Sequence, residues 1–219
     1  MTASLLGVRT WDGLKSVLCA IDTYARCAQE SYLKGKDDFI ADHPFDADRL
    51  CAGDMTTSYM APPVGGIFPL TAGMYDRLMH SSVYGSSLSH TNPRLYHLFC
   101  LYNRKYYKRV STDAGLMSEL AGFEERFPEY ARLYAAYYAY YLYEYFLQIY
   151  EDYSFIKHTR IGVIHLSMIL MFGILYSLRY GALTEEDFAH ILSVYNRRAY
   201  FNDTVIDDMY DVFYENLIT

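Results

Sequence analysis

The sequence predicts an all-α fold, a single orthogonal or irregular bundle of about seven helices with one long loop rich in proline and glycine. Three observations carry that prediction. Apolar residues recur at three- and four-residue spacings along most of the chain. Helix start and stop residues punctuate those stretches. No alternating run is long enough to suggest a sheet. With 219 residues, 52% of them hydrophobic, the chain has the size and apolar content to fill one core. Residues 1–219 are therefore read as one helical domain, with a loop over 36–73 and the central helices over 128–217.

Thr10 precedes the first helix, which places Leu14, Val17, Leu18, Ile21, Tyr24, Ala25 and Ala28 on one face. Gly35 is a natural stop, so this helix spans Trp11 to Lys34. From Lys36 to Gly73 the periodicity fails while Pro44, Pro62, Pro63, Gly65, Gly66 and Pro69 accumulate, leaving room for short helical turns only. Loops of that length inside a compact domain are functional or mobile. A short helix follows over Met74 to Tyr84. Asn92 with Pro93 is a cap followed by proline at the first helical position, which opens a helix to about Arg109. Asp113 to Phe127 forms another, and Pro128 restarts the chain.

The next helix, Tyr130 to Tyr153, is crowded with tyrosine, a residue used 25 times in the chain. Arg132, Glu144, Gln148 and Glu151 fall near one stripe, with Ala136 and Tyr140 filling the gaps. The other faces carry Tyr134, Tyr137, Tyr138, Tyr141, Leu142, Tyr145, Phe146 and Ile149. Only a narrow side can be wet, so several other helices must contact this one. Rings that carry a hydroxyl also require polar partners inside the core. An apolar helix over about Ile156 to Tyr180 ends at Gly181, and Thr184 with Asp187 has the spacing of a capping box in which Asp replaces Glu. A helix over Glu185 to Tyr200 follows. In the last helix Val205, Met209, Val212 and Phe213 face inward, while Asp207, Asp208, Asp211 and Glu215 face outward.

The formal net charge of −7 lacks the basic stripe of a nucleic-acid binder. The nearest basic stretch, Asn103 to Arg109, reads as a solvated helix end. Cys19, Cys27, Cys51 and Cys100 form no CxxC pair, and the N-terminus carries no signal-peptide pattern, so the thiols are read as reduced and the protein as cytoplasmic. Ile161 to Leu178 is uncharged and long enough to cross a membrane. In a chain of mean hydropathy −0.06, a central helix enclosed by other helices is the favoured reading.

Tyr137 to Tyr143, the apolar stretch Val163 to Leu178, Leu183 to Asp187 and Ser193 to Arg197 occur in an order that resembles the C-terminal helical region of the flagellin lysine-N-methylase family, over residues 131–216. Trp11 and Leu14 to Leu18 match its middle region more loosely. The resemblance implies a helical domain that takes part in protein-lysine methylation. Family members also carry a cysteine-rich cluster associated with a metal centre, and no comparable cluster occurs here. Ala135 and Ala136 stand where polar residues are expected, and Tyr200 with Phe201 stands where histidine is expected. What carries over is a methyltransferase-like accessory or substrate-binding domain that is not catalytic alone, with a protein or peptide partner such as a cysteine-rich subunit.

The candidate groove beside the tyrosine helix comprises Arg132, Tyr140, Glu144, Gln148, Glu151 and Arg197, the last able to pair with Glu144 or hold a peptide carboxylate. An alternative is a small metal-dependent helical enzyme. His158 and His165 lie two turns apart, and Glu144 or Glu151 on the preceding helix could join them in a di-metal site. Asp207, Asp208 and Asp211 match a DDxxD diphosphate pattern. Satisfied core histidines and a solvated acidic face account for the same residues, and neither metal reading is favoured. No cofactor follows from the sequence.

Overall fold

A computed structural model describes residues 1–36, 39–51, 106–145, 148–196 and 211. Numbered in chain order, the described helices are α1 (Thr2–Leu6), α2 (Trp11–Leu33), α3 (Phe39–Asp42), α4 (Ala47–Cys51), α5 (Tyr107–Val110), α6 (Asp113–Arg126), α7 (Ala131–Tyr145), α8 (Ile149–Asp152), α9 (Phe155–Tyr180) and α10 (Glu185–Tyr195). The described residues contain no strand, and the fold is all-α. The helices expected over 74–84 and 93–105, most of the 36–73 loop and nearly all of the last helix lie outside the described residues. The chain divides into two compact units, one of residues 1–69 and 127–166 and the other of 70–126 and 167–219.

In the first unit, α2 starts where its cap predicts. The Thr10 hydroxyl accepts from the Gly13 amide at 3.1 Å, satisfying one of the amides that a helix start leaves open. The helix ends at Leu33 with Lys34 as its C-cap, and Gly35 turns the chain at φ +71°. Leu14, Leu18, Ile21, Tyr24, Ala25 and Ala28 are buried as their spacing predicts, while Val17 is only half-buried. Helix α1 has too few residues to show a period, yet it packs on α7 and buries Leu5 completely. Short helices α3 and α4 lean on α2 within the stretch expected to hold only brief turns.

A 3-10 turn, Pro128–Tyr130, leads into α7. There the Trp11 indole donates to the Phe127 carbonyl at 3.0 Å and its ring meets Tyr134 at 5.3 Å. Tyr134, Tyr137, Tyr138, Tyr141 and Leu142 are buried, each such side chain contributing about 2 kcal/mol of apolar burial. The core hydroxyl requirement is met at Tyr138, which donates to the Thr159 carbonyl of α9 at 2.9 Å. Close approach of α7 and α9 depends on Gly162. A Cβ there would lie 2.5 Å from two Tyr141 ring carbons and 2.7 Å from Tyr138. The expected helix from Tyr130 to Tyr153 is instead α7, ending at Tyr145, followed by the single turn α8.

Helix α9 has the length and hydropathy of a membrane span, but 89% of its most apolar window is buried inside the protein. Every residue from Ile164 to Ser177 is enclosed, the pattern of a helix surrounded by other helices.

In the second unit, α6 buries Leu116, Leu120 and Phe123, and Arg109 pairs with Glu119 at 2.6 Å. The C-terminal end of α9 closes at Gly181, φ +76°. The predicted capping box forms in full, with the Thr184 hydroxyl accepting from the Asp187 amide and the Asp187 carboxylate accepting from the Thr184 amide, both at 3.1 Å. Tyr176 also donates to that carboxylate at 2.5 Å. The described part of α10 ends at Tyr195, with residues 197–200 outside the description.

Candidate functional site

At about 100° per residue, Arg132, Ala136, Tyr140, Tyr143 and Glu144 occupy one arc of roughly 120° on α7. Arg132, Tyr140, Tyr143 and Glu144 are all exposed. The exposures of Tyr140, 50%, and Tyr143, 79%, contrast with those of the buried α7 rings, none above 5%. Ring area of that size is left in water on a helix that encloses Tyr134, Tyr137, Tyr138 and Tyr141 and half-buries Tyr145. The Tyr140 phenol donates to the Glu144 carboxylate one turn along, and this bond is the main reason its pKa is raised. Beyond α7, Gln148 and Glu151 are also exposed. The structure thus leaves Arg132, Tyr140, Glu144, Gln148 and Glu151 at the surface. Arg197 lies outside the described residues.

The segment that follows is held by tertiary contacts. Tyr153 adopts φ 53° and ψ 28°, left-handed geometry that is costly for a residue with a Cβ. Its ring stacks on Tyr32 at 4.6 Å and 5°. Gln29 clamps both sides of the turn, donating to the Tyr153 carbonyl at 3.0 Å and accepting from the Phe155 amide at 2.9 Å. Asp152 accepts from the Ser154 amide at 3.0 Å, from His158 Nε2 at 2.9 Å and from Lys157. Burial raises the Asp152 pKa, but the bonds from Lys157, Ser154 and His158 outweigh it and the pKa falls below 3.8. Burial lowers the His158 pKa below 6.5 against the opposing pull of Asp152. At neutral pH the pair is a carboxylate accepting from a neutral imidazole, which places the ring proton on Nε2.

His165 is enclosed, 5.4 Å from the Tyr141 ring, and burial lowers its pKa to about 3. It is a neutral core histidine. The carboxylate that meets His158 comes from Asp152, not from the Glu144 or Glu151 suggested by helical spacing. Among the described residues no three His, Cys, Asp or Glu side chains are grouped to hold a metal. Asp211 is helical and exposed, while Asp207 and Asp208 lie outside the description.

Two features escaped the sequence reading. Tyr143 is the most exposed ring on the α7 face, and its place eleven residues after Arg132, three turns along, was a sufficient signal. The second is a partly buried ion cluster. Asp22 accepts from Arg160 Nε at 2.8 Å and from Arg26 Nε at 2.7 Å, which ties α2 to α9. Arg160 stands at the edge of the uncharged stretch, but nothing local identifies Asp22, 138 residues away, as its partner.

The family model described as the FliB lysine N-methylase C-terminal domain matches residues 16–219. No curated protein matches the chain, and no solved structure does. The match takes in α7 to α10 and all but the first turn and a half of α2.

Proposed function

This chain belongs to the FliB lysine N-methylase C-terminal domain family, and from that premise we propose that it is an accessory domain that docks a protein segment on the outer face of α7. It is not catalytic alone. The chemistry of methyl transfer is supplied by a cysteine-rich unit outside these residues, and this domain holds the protein that is modified or the subunit that modifies it. The observation behind the docking reading is the exposure of Tyr140 and Tyr143 on a helix that buries Tyr134, Tyr137, Tyr138 and Tyr141. Tyrosine is enriched at interfaces because it combines a large apolar ring with a polar tip. The face is backed by a rigid interior, with Tyr138 bonded to Thr159 and Tyr141 packed against Gly162, so docking needs little ordering of the domain.

Co-purification tests the reading. A tagged chain is expected to capture a defined protein set, and the Tyr140→Ala/Tyr143→Ala double variant is expected to lose it while keeping its helical circular dichroism. Incubated with a labelled methyl donor and a lysine-bearing protein, the purified chain is expected to yield no methyl-lysine. Capture of the same set by the double variant refutes the docking face. Methyl transfer by the chain alone refutes the accessory role.

A further inference from the structure

We propose that Tyr32 and Tyr153 form an oxidative coupling site, at which hydrogen peroxide acting through a haem peroxidase joins the two rings as dityrosine and fastens the C-terminal end of α2 to the turn between α8 and α9. The rings face each other with 4.6 Å between centroids and 5° between planes. Tyr153 is 44% exposed and Tyr32 half-buried, so an oxidant reaches the pair from solvent. Three other tyrosine contacts lack one or more of these features. Tyr138 with Tyr141 and Tyr141 with Tyr145 run through the buried Tyr141 ring, and Tyr176 with Tyr180 is tilted at 43° and includes the buried Tyr176 ring.

The pair is held in register before any oxidation. Tyr32 packs on the apolar cluster of Ala25, Ala28, Ile149 and Phe155. Tyr153 keeps a left-handed backbone, where glycine or asparagine is the ordinary occupant. Gln29, one turn before Tyr32, bonds both sides of that turn. Groups already in contact react without a diffusive encounter. Each phenol gives up one electron and one proton, leaving a phenoxyl radical whose unpaired spin is shared with the ring carbons beside the oxygen. One such carbon from each ring forms the new bond, and the hydrogen displaced from each passes through solvent to a phenol oxygen as the rings regain aromaticity. The two tyrosines lose two hydrogens in all, and hydrogen peroxide takes them up to become two molecules of water. The exposed side of Tyr153 gives the joined rings room to open from face-to-face to edge-to-edge.

The test treats the full chain at low concentration with hydrogen peroxide and a haem peroxidase, the dose raised until the exposed Tyr143 ring is modified. In the monomer fraction, peptide mass spectrometry is expected to find the Tyr32 peptide joined to the Tyr153 peptide with the loss of two hydrogens, and dityrosine fluorescence is expected to rise with it. Tyr32→Phe and Tyr153→Phe keep the rings but not the phenols. Each is expected to abolish the joined peptide while leaving Tyr143 modification and the helical circular dichroism unchanged. The coupled monomer is expected to unfold at higher urea than the Tyr153→Phe chain given the same treatment, because the link closes a loop of more than a hundred residues in the unfolded state. Modification of Tyr143 with no Tyr32–Tyr153 peptide in the monomer overturns the proposal. So does an equal yield of that peptide from a chain unfolded in urea before treatment, since coupling would then owe nothing to the stacked pair. A coupled monomer no more resistant to urea than the treated Tyr153→Phe chain overturns it as well.

Discussion

Replacing Gly162 by alanine tests the packing that holds α7 in place. The added Cβ would sit 2.5 Å from Tyr141 Cδ1 and Cε1 and 2.7 Å from Tyr138 Cε2. A flexible chain end could swing aside, but neither ring is one. Tyr138 is fully buried and anchored by its bond to Thr159, and Tyr141 lies between Tyr138, Tyr145 and His165, with centroids at 6.4, 5.1 and 5.4 Å. Overpacking of a close-packed site costs about 1–3 kcal/mol. The higher helix propensity of alanine offsets roughly 0.8–1 kcal/mol of that. Contacts of 2.5–2.7 Å place the overpacking cost in the upper part of that range, about 2–3 kcal/mol, so the net expectation is a loss of about 1–2 kcal/mol, read from the urea midpoint by circular dichroism. Gly122→Ala is the matched control, since nothing lies within 4 Å of a Cβ there. It carries only the propensity gain and should stabilise α6 by about 0.5–1 kcal/mol. Opposite signs are required. A Gly162→Ala chain as stable as the wild type would refute the close approach of α9 to α7.

Stability should fall as pH drops from 6.5 toward 3, because His165 stays neutral in the folded chain down to about pH 3 while its unfolded counterpart takes up a proton below about 6.5. The slope from one such group reaches about 1.4 kcal/mol per pH unit; urea midpoints at stepped pH check it, and His165→Phe should flatten the curve in that window. His158 adds to the loss below pH 6.5 in the same sense, because its folded pKa is also lowered. Asp152 adds to it below 3.8, where a carboxylate with a depressed folded pKa begins to lose its stabilising charge. Asp187→Ala removes both the reciprocal bond of the α10 cap and the acceptor of the Tyr176 hydroxyl. It should cost about 1–2 kcal/mol in thermal or urea unfolding, and an unchanged midpoint would show that the cap contributes nothing.

The parts of the fold that were legible in the sequence are those set by local chemistry. Thr10, Gly35, Gly181 and the Thr184/Asp187 box mark helix ends through bonds and backbone angles that involve residues within a turn of one another. The burial of α2 and α7 follows from spacing alone, and the family resemblance first seen over 131–216 rests on those same helical patterns. Helix α1 was illegible because five residues make too little of a period. The turn at Tyr153 was illegible for another reason. A tyrosine takes left-handed geometry here because Gln29 and Tyr32, more than a hundred residues earlier, hold it there. That same turn brings Asp152 onto His158 and so displaces the glutamates that uninterrupted helical spacing would have offered.

One helix therefore carries two different demands, and its sequence separates them by angle. On the inner arc, tyrosine is tolerated where its hydroxyl finds an acceptor, as Tyr138 does at Thr159, and where a neighbouring helix yields space, as α9 does at Gly162. On the outer arc, nothing in the packing requires a ring at 140 or 143, because half or more of each lies in solvent. Exposed tyrosines contribute little to folding, so alanine at both positions should leave stability nearly unchanged. A core role would make the same substitutions destabilising. The contrast between Gly162→Ala, which should unfold the domain more easily while leaving the outer face chemically intact, and Tyr140→Ala/Tyr143→Ala, which should do the reverse, separates the part of α7 that builds the fold from the outer arc proposed for docking.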